Sequence, residues 1–280
     1  MTASPDRYAV IGHPVDHSRS PDIHAAFARQ TGQTLVYERL PAAPDAFAAT
    51  VAAFFAEGGA GLNVTLPFKG EAAAYADRLT DRARRAGAVN TLAREDDGTL
   101  LGDNTDGIGL ARDLERQLQI PIAGSRILIL GAGGAVRGVI PVLFEHGAAA
   151  IHVANRTAAK AEAMAADFTD LGDIGGGALT RATGGWDIVV NAISAGLTGE
   201  TPDVSPAVLD DARGAYDMIY ADQPTPFLRW VAEHGIERRC DGFGMLVEQA
   251  AESFALWRGV HPQTADVIAA LRPGGDRHPS

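Results

Sequence analysis

Cysteine is all but missing from this 280-residue chain: Cys240 is the single one, so no internal disulfide can form and the core must hold the fold unaided. Cys240 follows Arg238 and Arg239, which favours a thiolate, but its place at an expected strand end marks an inert core thiol. No apolar run approaches the ~20 residues that span a bilayer. The opening MTASPDRYAVIG has no basic stretch followed by a long apolar one, as a secretory leader would. A reducing, cytoplasmic setting without a membrane partner is expected. Positive charge is also short. The net charge is −11 and the isoelectric point near 5.1, which argues against a nucleic-acid partner and requires any anion site to be built locally. The eight histidines form no metal-binding pattern. His13 and His17 are four apart, but Pro14 breaks the helix that would align them, so no metal is expected.

Lysine is the most telling scarcity. Of 24 basic residues, 22 are arginine, and only Lys69 and Lys160 are lysine. Arginine is effectively always charged, whereas a lysine can release its proton when its surroundings lower its pKa. Lys69, in the stretch GLNVTLPFKG, is therefore conspicuous as a candidate proton carrier.

The length allows one large domain or two smaller ones. Strands alternating with helices imply mostly parallel sheets with helices on their faces. In the first half, an apolar strand Tyr8-Ala9-Val10-Ile11 ends at Gly12. Ser20-Pro21 then opens a helix to about Thr31, with Ser20 as the N-cap. A strand over Thr34–Leu40, a helix over Pro44–Glu57 and a strand over Leu62–Leu66 follow, then a short helix after Pro67. Ala88–Arg94 and Leu100-Leu101 read as strands joined at Asp97-Gly98. An amphipathic helix begins at Thr105, striped by Ile108, Leu110, Ala111, Leu114 and Leu118. The second half repeats the alternation: strands at Arg126–Leu130, Ala150–Ala154, near Leu179, Ile188–Asn191, Ala215–Tyr220 and Ile236–Cys240, and a last helix from Phe243 to about Arg258. GDIGGGA is expected to be a mobile loop, and RPGGDRHPS a disordered tail.

RILILGAGGAVRG carries the strongest single motif. An apolar strand runs into Gly131, Ala132, Gly133, Gly134 and Ala135, then a helix, with glycines where a backbone must approach a pyrophosphate and free N–H groups at the helix start. The next strand ends in Asn155-Arg156-Thr157. A carboxylate there would hold a ribose diol; Arg156 instead suits a 2′-phosphate, which points to NADP over NAD. Lys160, one turn on, either adds to that field or is a surface lysine. Asn191-Ala192-Ile193-Ser194-Ala195-Gly196 follows the strand DIVV, where loops line a ligand crevice.

Three segments of the first half place polar residues at the ends of apolar strands. Ser18 and Ser20 flank a helix start suited to a carboxylate. Asn63 and Thr65 alternate with Leu62, Val64 and Leu66, so they share one face of a strand, as a polyol site would require. Asn90 lies in VNTL, and Asp106 near the start of its helix in DNTDG, where an acidic residue is also a plain helix-start residue.

Taken together, IGHPVDHSRSP, GLNVTLPFK, AGAVNTL, GDNTDGIG, GAGGAVRG, NRT, NAISAG, YDMIYADQPTPFL and DGFGMLVEQAAESFALW resemble the shikimate dehydrogenase family, in the family's order, from Tyr8 to about Pro262. The resemblance implies an α/β protein of two domains: an N-terminal α/β substrate domain and a Rossmann-like doubly wound NADP domain, with the active site in the cleft between them. The implied boundaries are 1–104 with 241–272 for the first, 105–240 for the second and a flexible tail at 273–280, the C-terminal helix returning to the first domain. It further implies reversible NADPH-dependent reduction of 3-dehydroshikimate to shikimate, a step toward chorismate and the aromatic amino acids. Lys69 and Asp106 match its catalytic pair. Ser18, Ser20, Asn63, Thr65, Asn90, Tyr220 and Gln249 match its substrate site, while Ile193, Ile219, Gly242 and Met245 join the cofactor residues. Gly242 and Met245 are expected against the nicotinamide.

Quinate-favouring relatives tend to carry Thr where Ser20 stands, so Ser-x-Ser is similar to the shikimate form. Ile193 departs from the family's usual Thr. The expected partner is the small-molecule substrate, in a monomer or homodimer. The rivals are quinate or an amino analogue as substrate, a non-catalytic NADP-binding regulator, which would lack Lys69 or Asp106, and a folate-linked dehydrogenase, against which Ser-x-Ser and the Asn63/Thr65 pair argue.

Overall fold

A computed structural model describes residues 5–193 and 201–272. In chain order the elements are β1 (Asp6–Gly12), α1 (Ser20–Thr31), β2 (Leu35–Pro41), α2 (Phe47–Ala56), β3 (Gly59–Val64), α3 (Lys69–Tyr75), β4 (Arg78–Leu79), α4 (Asp81–Ala86), β5 (Thr91–Arg94), β6 (Leu100–Asp103) and α5 (Asp106–Leu118). Then come β7 (Arg126–Leu130), α6 (Gly134–Glu145), β8 (Ala150–Asn155), α7 (Ala158–Ala166), β9 (Ile174–Ala178), β10 (Ile188–Asn191), β11 (Gly214–Asp217), α8 (Pro226–Glu233), β12 (Arg239–Asp241), α9 (Phe243–Arg258) and α10 (Thr264–Leu271). The chain divides into two compact units. Of the described residues, one takes 5–106 together with Leu246–Leu271; the other takes Gly107–Met245 and Arg272.

The first unit carries a mixed sheet in the order β2-β1-β3-β5-β6-β4. β1 runs parallel to β2 and β3, while β5 is antiparallel to β3 and β6. α9 and α10 complete this unit's core: Trp257 stacks on Tyr8 at 4.7 Å, and Phe254 meets Phe27 edge-on at 5.7 Å. The second unit is a wholly parallel sheet in the order β12-β11-β10-β7-β8-β9. Its strands RILIL and IVVN read as unbroken apolar runs because both faces are covered. Ile127, Ile129, Ile188 and Val190 enter one core cluster, while Leu128, Leu130 and Val189 enter the other, as the period of two in a strand demands.

Some expectations are corrected. Ser20 is not an N-cap. Arg19 takes that place with no side-chain cap; Ser20 is already helical, its N–H donating to Ser18 Oγ at 3.3 Å and its hydroxyl oxygen accepting from Ser18 at 3.2 Å. GDIGGGA is not a loop along its whole length: Ile174–Ala178 forms β9, paired in parallel with β8. Gly176 is a steric necessity there, since a Cβ on it would stand 2.3 Å from the Ala161 carbonyl oxygen of α7. Leu179 begins a 3-10 turn, not a strand. The last strand covers Arg239–Asp241 and not Ile236–Cys240, because Gly235 with φ of 83° ends the preceding helix and the chain needs several residues to reach β11. The expected tail at 273–280 and the Ser194-Ala195-Gly196 part of the β10 motif lie outside the described residues. Cys240 is held among buried groups, and burial pushes its thiol well above the usual range, as befits an inert core thiol.

One core group has a pH signature. His24 of α1 is fully buried and stacks on Tyr37 at 4.2 Å and 7°. Among the described residues neither ring nitrogen has a hydrogen-bond partner. Burial pushes its pKa from 6.5 down to about 3, and the nearby Asn63 amide offsets only part of this. The unfolded chain therefore takes up a proton near pH 6.5 that the folded chain refuses until about pH 3. The stability tied to neutral His24 is whole above the first value and drains away as pH falls toward the second. At pH 5 the loss should be about 2 kcal/mol. Urea unfolding at pH 7 and pH 5 checks it: the acid-side fall in midpoint should shrink in His24→Phe, and an equal fall in both proteins would exclude His24 as its source.

Candidate active site

Lys69 opens α3 directly after Pro67 and Phe68. Its side chain is 16% exposed, and Nζ lies 2.5 Å from Asp106 Oδ2, on a carboxylate only 7% exposed. Asp106 is the first residue of α5, where the helix's positive end favours a carboxylate. Its other oxygen, Oδ1, accepts from Asn90 Nδ2 at 2.8 Å, and its own N–H donates to Asn104 Oδ1 at 3.2 Å. The carboxylate is thus fixed on both oxygens, and the one ammonium it holds can still turn toward a ligand.

Asn90 is the hub around this pair. Its Nδ2 also reaches Thr105 Oγ1 at 2.9 Å and Gln249 Oε1 at 3.2 Å, while its Oδ1 accepts the Thr105 backbone N–H at 2.9 Å. Gln249, on α9, gives one amide hydrogen to the Leu246 carbonyl at 2.8 Å, leaving the second for a ligand. Asn63, at the buried end of β3, accepts from the Tyr37 hydroxyl at 2.7 Å and donates to Ser253 Oγ at 2.9 Å. Its oxygen keeps one lone pair free. Thr65 lies just past β3, half-buried, with its N–H on the Ile11 carbonyl at 2.9 Å. A Cβ on Gly12 would stand 2.4 Å from Thr65 Cγ2, so the glycine ending β1 makes room for Thr65. The Ser18 and Ser20 hydroxyls are 3.2 Å apart, and Arg39 pins their loop through two hydrogen bonds to the Ser18 carbonyl, at 3.0 and 2.6 Å.

All these residues belong to the first unit. Tyr220, expected with them, belongs to the second, where its ring meets Phe243 edge-on at 5.7 Å. Reading the sequence missed Tyr37, Thr91, Thr105, Ser253 and Arg39. Thr91 and Thr105 sit inside motifs already singled out, and Ser253 follows Gln249 by four residues on the same helix face. Tyr37 carries no local signal.

The cofactor residues lie in the second unit. Gly131 leaves β7 with φ of 112°, and Gly133 caps α6 in extended conformation with no side-chain hydrogen bond. A Cβ on Gly133 or Gly134 would meet nothing within 4 Å, and the first turn, which includes Ala135, has no acidic residue. Among the described residues the start of α6 is thus uncrowded, and the unpaired N–H groups of a helix's first turn suit an anion such as a pyrophosphate. Beyond β8, Arg156, Thr157 and Lys160 are exposed. Asn155 Nδ2 donates to the Thr157 carbonyl at 3.0 Å, which shapes the turn. Arg156 pairs with no acidic side chain among the described residues, so its guanidinium is available to a phosphate. These residues fit NADP.

Asn191 ends β10, and its Nδ2 donates to Asp217 Oδ1 at 3.0 Å. Asp217 also takes the Thr225 hydroxyl at 2.5 Å and the Ile219 N–H at 3.1 Å. Burial raises its carboxyl above the usual range, against the pull of those three donors. It ties together Asn191 and Ile219, both expected near the cofactor. Ile193 and Ala192 close over Gly131, whose Cβ would lie 3.2 Å from Ile193 Cγ1. Gly242 donates to the Ile219 carbonyl at 3.1 Å, and a Cβ there would come within 2.3 Å of the Met218 carbonyl oxygen. Met245 is buried in the core of this unit.

Comparison with known proteins gives a consistent result. Residues 10–92 match the family described as shikimate dehydrogenase substrate binding domain, residues 113–198 match shikimate / quinate 5-dehydrogenase, and residues 242–272 match the shikimate 5'-dehydrogenase C-terminal domain. The chain is 58% identical over 269 residues to the NADP(+) shikimate dehydrogenase of Thioalkalivibrio sulfidiphilus, covering 96% of this chain and 98% of that protein. Among solved structures, an Ael1 enzyme from Pseudomonas putida aligns with a TM-score of 0.87 at 45% identity, over 95% of this chain and 98% of that one. The shikimate 5-dehydrogenase of Thermus thermophilus, crystallised with NADP(H) and shikimate, aligns with a TM-score of 0.82 at 34% identity, over 93% and 96%.

Proposed function

Since this chain belongs to the shikimate dehydrogenase family, we propose that it catalyses the reversible NADP-dependent reduction of 3-dehydroshikimate to shikimate, with Lys69 and Asp106 as its catalytic pair. The observation that carries the roles is the contact of Lys69 Nζ with Asp106 Oδ2 at 2.5 Å, on a carboxylate already anchored by Asn90. Bound NADPH supplies the hydride. Lys69 gives its proton to the carbonyl oxygen as that oxygen becomes a hydroxyl, and takes it back in the oxidising direction. Asp106 holds the lysine at the reacting oxygen and balances its charge.

The Ser18 and Ser20 hydroxyls bind the substrate carboxylate. Asn63, Thr65, Asn90 and Gln249 lie on the ring hydroxyls or nearby, with Tyr220 completing the set. Gly131 to Ala135 take the pyrophosphate. Asn155, Arg156, Thr157 and Lys160 take the adenosine end with its 2′-phosphate, and Asn191, Ile193, Ile219, Gly242 and Met245 the nicotinamide end. Residues 1–104 with 241–272 form the substrate domain and 105–240 the cofactor domain. The division at Asp106/Gly107 and Met245/Leu246 supports boundaries within a few residues of these. The protein acts in the cytoplasm as a monomer or homodimer. Among the described residues no helix is long and apolar enough to cross a membrane.

Initial rates with shikimate and with quinate, each with NADP and NAD, test the reading. Shikimate with NADP should exceed every other combination by at least about tenfold in kcat/KM, since a site built to hydrogen-bond one substrate rejects its neighbours strongly. A quinate rate equal to the shikimate rate would overturn the substrate choice.

A further inference from the structure

Thr91, the first residue of β5, is fully buried, and the reaction above assigns it nothing. Its hydroxyl joins the two substrate-facing amides, and the direction of each hydrogen bond there can be worked out. The starting point is a donor that cannot be reversed, the Thr105 backbone N–H, which lies 2.9 Å from Asn90 Oδ1. The Asn90 oxygen therefore faces Thr105, and its Nδ2 faces the acceptor Asp106 Oδ1 at 2.8 Å. Thr91 Oγ1, 2.9 Å from the same Asn90 Oδ1, must then donate to it. A hydroxyl has one proton and two acceptor positions. With that proton committed, Thr91 can only accept: Asn63 Nδ2 donates at 3.2 Å, and Ser253 Oγ at 2.7 Å shares its one proton between Thr91 and the Gln249 carbonyl at 3.2 Å. Asn63 thus turns its nitrogen inward. Its further contacts, Ser253 Oγ at 2.9 Å and the Asn90 carbonyl at 3.3 Å, have the same sense. Its oxygen faces the Tyr37 hydroxyl at 2.7 Å, with one lone pair over.

We propose that Thr91 is a positioning residue that relays hydrogen-bond direction from the Asp106–Asn90 pair to Asn63, so that Asn63 offers the substrate an acceptor and selects a ring substituent able to donate. A hydroxyl satisfies it; a fluoro or keto group at that place does not. The proposal rests on Asn63 being a substrate contact. Without the Thr91 hydroxyl, Asn90 loses a donor and Asn63 loses an acceptor in a place closed to water.

The test compares Thr91→Val, which keeps the shape and drops the hydroxyl, with Thr91→Ser, which keeps the hydroxyl. Thr91→Val should raise KM for shikimate about tenfold while kcat changes less than about threefold, and Thr91→Ser should return KM to within about twofold of the parent. NADPH affinity, read by its fluorescence, should be unchanged in both. A Thr91→Val protein with the parent KM overturns the relay, and so does a Thr91→Ser protein as impaired as Thr91→Val, since packing alone would then explain the loss. The parent enzyme gives an independent reading that needs no variant to fold. Among shikimate analogues with one ring hydroxyl replaced by fluorine, the one altered opposite Asn63 should bind at least about tenfold more weakly. If all bind like shikimate, the relay is wrong. A parent protein that fails to turn over shikimate with NADP sinks the reaction itself, whereas an active parent with an unaffected Thr91→Val sinks only the relay.

Discussion

Replacing Lys69 by alanine should lower turnover by ~10²–10⁴-fold, the usual worth of a positioned acid–base group. NADPH should still bind as before, because Lys69 lies in the first unit and the cofactor residues in the second. The more informative variant is Lys69→Arg. It keeps the positive charge and can still pair with Asp106, but a guanidinium does not release its proton near neutral pH. If Lys69 merely attracted the substrate's carbonyl, arginine would serve. If it passes a proton, Lys69→Arg should be nearly as slow as Lys69→Ala. Steady-state kcat for the two variants, with NADPH titrations as the control on folding, decides between these. A Lys69→Arg enzyme turning over at the parent rate removes Lys69 from proton transfer.

The second large effect concerns Arg156. Its exposed guanidinium, with no carboxylate beside it among the described residues, is free to take a doubly charged phosphate. Arg156→Asp replaces that attraction by repulsion. A charge-assisted hydrogen bond is worth about 1.5–3 kcal/mol, so NADPH affinity should fall on the order of 10²-fold once the repulsion is added. NADH has no 2′-phosphate and should bind within about threefold of its parent affinity. Fluorescence titration with both nucleotides gives the two dissociation constants. Equal losses for NADPH and NADH would show that Arg156 supports the turn and not the phosphate.

How far the fold and site could be read beforehand depended on the range of each signal. Short-range patterns were legible. The alternation around Asn63, the strand–glycine–helix run through Gly131 and the bare end of β8 all announce themselves within a few residues. The sole position of Lys69 among arginines made it conspicuous, but only the family resemblance gave it a role. What escaped is what depends on distant partners. Tyr37 sits on β2 and Ser253 on α9, and nothing near either residue says that both will close on the Asn63 amide. Ser20 looked like a cap because Ser-Pro is a common helix start. The structure instead makes Ser20 the first helical residue, with its N–H and hydroxyl oxygen both held by Ser18 of the loop before the helix. GDIGGGA looked like a loop because glycine weakens an isolated strand. It pairs because β8 already offers an edge, and because α7 leaves no space for anything larger at Gly176.

Those three glycines of β9 differ in kind, and the difference limits how the sequence can drift. At Gly177 a Cβ would touch only the His152 ring, at an ordinary 3.5 Å, so alanine is open to that position at any time. At Gly175 the same ring stands at 2.9 Å; alanine there becomes acceptable once position 152 carries something smaller, and not before. At Gly176 the obstacle is the backbone of α7, which no change of side chain elsewhere can move aside. The first position is neutral, the second conditional on an earlier mutation and the third closed, so the order of substitutions, and not only their number, governs which descendants of this chain still fold.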